Sequence, residues 1–322
     1  MGIILLIYKN FMSYSLRFCL LSLVLPLSVL AHADSQLTDD SFSACPKHFA
    51  DNQAPKLVGT KGKKLAAKTT PLCFSGFAVL HSGVSRTPIW SAEYLTKQRI
   101  AQAKQLVRED NFHAEDSLPN GQRAELDDYR RSGFDRGHLA PNGDMADKTQ
   151  QFDSFSLANI APQNGPHNRN TWREIESSTR YLTNKYGKAY VVTGVVFAGK
   201  NIQKIGSGVL VPSHFFKAVY LPSVSEASVY YSANSENGTT EIITLNEFAE
   251  RTGIDVMPSL GADIKNKRFE LPLNAVDNNG DPAPAPKSEK SPTKENADNS
   301  AEASMWANLI VAIIKFLVGL FK

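Results

Sequence analysis

The chain has 322 residues, 42% of them apolar and 21% charged, with a formal net charge of +3. These are the proportions of a globular protein, long enough for one large domain or two ordinary ones, so burying a core is no difficulty. The near-balance of charge excludes any argument for a nucleic-acid partner from bulk electrostatics. Attraction for phosphate has to come from a local cluster of Arg and Lys, since a groove of one sign focuses the field of a nearly neutral protein.

Residues 1–33 have the pattern of a signal peptide. Arg17 is followed by the apolar run from Phe18 to Leu30 and then by Ala31-His32-Ala33, a small-residue cleavage pattern. Met12 would open a signal of ordinary length, which makes the first eleven residues a candidate upstream start; an uncleaved anchor is the alternative. Cleavage after Ala33 would take Lys9 and Arg17 and no acid with it, lowering the net charge from +3 to +1. Export would place the protein in the periplasm or outside the cell. Cys19 would leave with the signal, so only Cys45 and Cys73 remain. One pair in an oxidising compartment suggests one disulfide, the alternative being two unrelated thiols. The two cysteines flank a basic segment, Lys56 to Lys68, which a bridge would pin to the domain.

Residues 34–70 read as a polar, irregular arm, and a folded domain is expected over 71–273. Strands are predicted at Phe74–Leu80, Thr87–Leu95, Ala189–Val196, Phe215–Leu221 and Ser228–Ser232, from β-branched and aromatic content and intervening turn residues. Ile100–Val107 is ambiguous. Arg169–Tyr186 has helical composition and stops before Gly187, and Leu245–Thr252 reads as a short helix ended by Gly253. Runs of strands with few helices between them point to an α+β fold, not a doubly wound parallel sheet.

From residue 274 to 304 the sequence turns to Pro, Ser, Lys, Glu and Asn and reads as a disordered linker, with too little apolar surface to offset its ordering entropy. Residues 305–322 are nearly all apolar. Asn308, Lys315 and Lys322 fall seven apart, along one side of an amphipathic helix. Its length is the lower limit for crossing a bilayer, and a central lysine costs roughly 2.5–3.5 kcal/mol on insertion. A helix lying on a membrane surface or packing on an oligomer partner fits better than a spanning anchor.

The densest chemistry lies between Asp128 and Asp144, where arginines, glycines and His138 share a stretch too turn-rich to be core. A lone histidine is more often structural than catalytic. Here the flanking Arg136-Gly137 lets backbone and guanidinium approach a phosphate, and neutral imidazole can accept a proton from water. Further on, Asn168, Trp172, Glu176 and Arg180 follow in steps of four, one slowly drifting stripe on a helix. The stripe reads either as the wall of a cleft or as an N-cap, a core tryptophan and a surface ion pair.

Asp135-Arg-Gly-His-Leu-Ala-Pro141, with Asn159-x-x-Pro-Gln163, Asn168, Trp172 and Glu176 in order, resembles the DNA/RNA non-specific endonuclease family of secreted bacterial and mitochondrial nucleases. The likeness runs from about Phe74 to Leu273 and includes Arg108 and Asp128-Tyr129. It implies a central antiparallel sheet flanked by helices and a ββα-metal site. His138 would be the general base, and Asn168 the one direct protein ligand of a Mg²⁺, with Mn²⁺ as a substitute ion. Glu176 would hold metal-bound water, and Arg108, Arg136 and Arg180 would lie near the scissile phosphate. Asn159 and Gln163 would orient the site, and Asp135 would fix the loop without touching metal. Arg136 has a second, compatible reading as the partner of Asp135. Expected partners are DNA and RNA without sequence preference, and an inhibitor protein of unknown kind. The competing reading is a catalytically silent, membrane-associated nucleic-acid-binding protein.

Overall fold

The computed structural model describes residues 39–274. The signal segment, the linker and the C-terminal apolar stretch lie outside them.

The chain enters through three 3₁₀ turns (Asp39–Phe42, Pro46–His48 and Ala50–Asn52), β1 (Lys56–Leu57) and α1 (Gly59–Leu65). The arm read as irregular is therefore folded from Asp39 onward, a correction with a clear cause. Phe42 and Phe49 are buried and lie 5.1 and 6.0 Å from the ring of Trp90. Cys45 is joined to Cys73 by the expected disulfide. Apolar anchors this sparse give no periodicity, so their burial was not apparent in the arm's polar composition.

β2 (Thr69–Cys73), β3 (Ala78–Ser82) and β4 (Thr87–Thr96) form a meander. The predicted strand at Phe74 starts four residues too early. Phe74 N–H bonds to Phe77 O, so Phe74–Phe77 is the hairpin turn, and its two rings stack at 4.8 Å. Apolar residues that pack across a turn mimic a strand in sequence.

Next come α2 (Lys97–Ala103), α3 (Leu126–Tyr129), β5 (Asp135–His138), α4 (Lys148–Ser154) and β6 (Ile160–Gln163). The ambiguous stretch resolves as α2, which starts at Thr96, whose hydroxyl accepts from Arg99 N–H. β5 and β6 pair antiparallel, His138 opposite Ile160 and Asp135 opposite Gln163. The helical run that follows comprises α5 (Gly165–His167), a π turn (Asn168–Trp172) and α6 (Arg173–Tyr186). It ends at Gly187, whose φ of +92° suits a residue without Cβ.

β7 (Lys188–Val196), β8 (Lys204–Ile205), β9 (Val209–Leu210), β10 (His214–Leu221), β11 (Glu226–Ala233) and β12 (Thr240–Ile243) follow, then α7 (Leu245–Thr252), β13 (Ile254–Asp255) and α8 (Ala262–Lys265). Seven strands build one antiparallel sheet in the order β12-β11-β10-β7-β4-β3-β2, which is the predicted α+β architecture. One face packs on the N-terminal arm, with α7 (Phe248) and the segment through Leu260. The other packs on α6 through Trp172, Ile175 and Leu182, against Leu95, Val191, Val195 and Phe215. Full burial of each such side chain contributes on the order of 1.5–3 kcal/mol. A sheet covered on both faces explains why its strands read as continuous apolar runs and not as alternation.

Candidate active site

β5, β6 and the helical run from Gly165 make a ββα unit set against the sheet. Asn159, fully buried, is its clamp: Oδ1 accepts from Ser91 Oγ of β4 (2.8 Å) and from Ala140 N–H (3.0 Å), while Nδ2 donates to Ala140 O and Ser154 O. Leu139 N–H also donates to Asn159 O. The peptide just after His138 is thus tied to the sheet. Gln163 Nε2 donates to His167 Nδ1 (2.9 Å), and His167 Nε2 then donates to Ser232 Oγ (2.9 Å). A Cβ on Gly137 would come within 2.2 Å of Gln163 Oε1, so only glycine fits before His138.

His138 ends β5 with 9% of its surface exposed, and its Nε2 is buried without a hydrogen-bond partner. Phe112 and Phe155 wall the imidazole at 5.4 and 5.0 Å between ring centroids. Burial among these rings pushes its pKa down to about 3; the Arg108 charge lowers it further, Asp110 opposes and Arg136 adds to the lowering. At neutral pH the ring is uncharged and holds a free lone pair, the state a proton acceptor needs.

The arginines divide. Arg108 lies over Phe155 (5.3 Å) and Arg136 over Phe112 (4.3 Å), so each guanidinium sits on a ring that walls the histidine. Arg108 also pairs with Asp110 at 2.6 Å, both exposed. Arg136 is not the partner of Asp135; Arg169 is, at 2.6 Å. Arg180 pairs with the buried Asp144 at 3.0 Å and not with Glu176 as a surface pair. Trp172 takes the plainer of its two readings and is core, 5.4 Å from Phe215.

Asp135 Oδ2 also accepts from Asn168 Nδ2 at 3.1 Å. A carboxylate only accepts, so it turns the amide nitrogen toward itself and the amide oxygen away. Among the described residues no hydrogen bond engages Asn168 Oδ1, and no group of three His, Cys, Asp or Glu could cage a metal. A single hard oxygen beside the Asp135 carboxylate suits an ion that keeps most of its water shell, as Mg²⁺ does, so the residues fit the ion the resemblance implied.

Beneath α6 lies a charged cluster that motif reading missed. Glu93 and Lys217 are each 1% exposed. Arg99 donates to Gly76 O, Tyr94 O and Asp144 O and reaches Glu93 at 3.4 Å. Lys217 Nζ donates to Thr193 Oγ1 and lies 5.7 Å from the Trp172 ring. Burial pushes Glu93 up to about 8, with Asp144 raising and Arg99 and Lys217 lowering. Glu176 is also raised by burial, against Arg180 and Lys217. The available signal was a lone charge inside each of two apolar strands, Glu93 in β4 and Lys217 in β10.

Residues 55–263 match the family described as DNA/RNA non-specific endonuclease. The chain belongs to this family. Members similar to it include human mitochondrial endonuclease G, 37% identical over 207 residues, and the mitochondrial nuclease of Saccharomyces cerevisiae, 31% identical over 216. These alignments cover 60% and 62% of this chain and 62% and 61% of the relatives, so the chain spans about three fifths of the curated nucleases it matches. Among solved structures, a chain from the EndoG/EndoGI complex, described as showing the mechanism of EndoG inhibition, superposes with a TM-score of 0.51. It is 26% identical, with 58% of this chain and 86% of that one covered. The family match encloses every motif residue from Arg108 to Arg180, and it starts at residue 55, inside the arm that sequence reading had left outside the domain.

Proposed function

We propose that this chain is a Mg²⁺-dependent endonuclease that hydrolyses DNA and RNA without regard to base sequence and leaves 5′-phosphates. The observation that carries the reading is the pairing of a neutral, partly unpartnered His138 on β5 with an Asn168 amide oriented by Asp135 across the ββα unit.

In this reading Arg108 and Arg136 bind the non-bridging oxygens of the scissile phosphate, and Arg180, though tied to Asp144, has further N–H donors for the same group. The phosphate's charge offsets the two guanidinium charges that depress His138, so the base strengthens when substrate binds. His138 removes a proton from the attacking water, whose oxygen bonds to phosphorus in line as the P–O3′ bond breaks, and the 3′ oxygen takes a proton from solvent to leave as a hydroxyl. Asn168 would hold Mg²⁺ through Oδ1, with Glu176 hydrogen-bonding its water; the bound ion supplies charge neutralisation at the phosphate. Nothing in this chemistry uses a 2′-hydroxyl, and the contacts it calls on are to the phosphate backbone, so both nucleic acids are substrates and binding weakens with salt.

Export by residues 1–33, a linker over 274–304 and a surface-lying helix over 305–322 complete the reading. Among the described residues no helix is long and apolar enough to cross a membrane. The likeness to a chain from an EndoG/EndoGI complex supports a protein inhibitor as a partner. The deciding experiment is nicking of closed circular plasmid with Mg²⁺, Mn²⁺ or chelator. Cleavage that chelator stops and His138→Ala abolishes is the expected result. Binding without cleavage in either metal would instead establish a silent nucleic-acid-binding protein.

A further inference from the structure

The rings around His138 form two layers. The inner one is Phe112 and Phe155, which meet edge to face at 4.8 Å and carry Arg136 and Arg108 on their faces. The outer layer is built from the residue after one and a residue one helical turn before the other. His113 follows Phe112, and Phe152 lies on α4 three positions ahead of Phe155, on the same helical side. His113 and Phe152 are parallel, their planes 11° apart and their centroids at 4.3 Å.

Two features separate this pair from ordinary surface packing. Phe152 is 49% exposed, so its ring was not placed to fill the core. The stack is also held rigidly. His113 N–H donates to Phe155 O, Leu157 N–H donates to His113 O, and His113 Nδ1 lies 2.8 Å from Asn111 O. Beside the stack, α4 is bonded to the strand of chain carrying Arg108, through Gln151 Nε2 to Val107 O and Glu109 N–H to Gln151 Oε1. Val107 there is 82% exposed. A flat, fixed, half-open aromatic pair therefore flanks the two rings that carry the guanidinium groups of Arg108 and Arg136.

We propose that the His113–Phe152 stack is a subsite for one unpaired nucleobase, which adds a third ring to the pair while the strand's scissile phosphate reaches Arg108 and Arg136. The inference rests on the nuclease reading of the site. Bases within a duplex have both faces covered by their neighbours, so the subsite engages single strands, frayed ends and unpaired loops. Any base can stack, so the contact adds affinity without sequence preference. It biases the enzyme toward single-stranded substrate.

The test compares wild type, Phe152→Ala and Phe152→Trp on one oligonucleotide sequence, single-stranded and as a duplex. Binding of the single strand is followed in chelator by the fluorescence of one 2-aminopurine. Phe152→Ala is expected to lower the single-strand to duplex ratio of kcat/KM about tenfold and to weaken 2-aminopurine stacking by a similar factor. Phe152→Trp restores both, which a folding defect cannot do. Equal losses on both substrates, or an unchanged ratio and unchanged fluorescence, would overturn the subsite. A wild-type protein that quenches 2-aminopurine but cleaves neither substrate would leave the subsite standing and remove the nuclease reading. Intact cleavage with no effect of either variant would do the reverse.

Discussion

Asp135 Oδ2 accepts from both Asn168 Nδ2 (3.1 Å) and Arg169 Nη1 (2.6 Å), joining the first strand of the ββα unit to the start of its helix. The arginine holds Asp135 in place, and the carboxylate, which only accepts, dictates which end of the Asn168 amide faces outward.

Asp135→Asn keeps the size and loses that dictation, since an amide can face either end of another amide. The Mg²⁺ concentration for half-maximal nicking is expected to rise by about 10- to 100-fold, the usual effect of losing a group that orients a metal ligand. Saturating Mg²⁺ should recover most of kcat. A Mg²⁺ titration of plasmid nicking checks this, and an unchanged midpoint would show that Asp135 does not act through Asn168.

His138 provides a pH signature. Its pKa is depressed to about 3 by burial and by Arg108, so protonation removes the base only well below the ordinary histidine range. The acid limb of kcat/KM, which reports the free enzyme, is expected well under pH 6. The limb of kcat should lie higher, because bound phosphate offsets the arginine charges. Arg108→Ala should raise the kcat/KM limb while lowering its plateau. A limb near pH 6.5 in both parameters would count against a desolvated base.

Stability should peak near pH 6.5. His48, His81 and His167 are each pushed down to about 4 by burial, from an unfolded value of 6.5. Between those values the unfolded chain binds more protons, so stability rises with pH and is lost as pH falls below 6.5. Glu93 acts with the opposite sign: raised to about 8, it binds its proton in the folded state, so its contribution fades as pH climbs from 4.5 to 8. These histidines, with His138 shifted the same way, outweigh Glu93 below 6.5; above it Glu93 remains, together with Glu176, which burial also raises. Urea midpoints measured from pH 4 to 8 check the maximum, and Glu93→Gln should flatten the alkaline side.

Lys217→Met removes a buried positive charge that acts on both Glu93 and Glu176 and leaves them less compensated. A loss of about 3 kcal/mol is expected, of the size seen when one member of a buried charge pair is deleted. Adding Glu93→Gln should restore part of it. A double-mutant cycle by urea denaturation measures the coupling, and strict additivity would show that the two groups do not interact.

The Cys45–Cys73 bridge closes a loop with a sequence separation of 28, for which the chain-entropy model gives roughly 3–4 kcal/mol. Replacing both cysteines by alanine should lower the urea midpoint accordingly. Plasmid nicking at 25 °C should be unchanged, because the disulfide anchors the arm on the sheet face opposite α6.

Much of the site was legible because its signals are local. The stretch from Asp135 to Pro141, Asn159 through Gln163 and the steps of four from Asn168 each occupy a few residues, and their order alone carried the family likeness. Strands β4, β7, β10 and β11 were legible as apolar runs, and Gly187 and Gly253 as helix stops, for the same reason. The turn at Phe74–Phe77 was misread because stacking across it and pairing along a strand use the same residue types.

The sequence by itself therefore determined the motif residues, their order and the family they point to, down to a single disulfide pairing. Only the tertiary structure decided their partners: Arg169 and not Arg136 for Asp135, Asp144 and not Glu176 for Arg180, and Arg99 for Glu93 under the helix. It also decided that Phe152 stands exposed beside His113 while Phe155 walls His138. The physical reason is distance along the chain. A motif is a local pattern, whereas desolvation and charge pairing depend on side chains delivered from strands and helices tens of residues away.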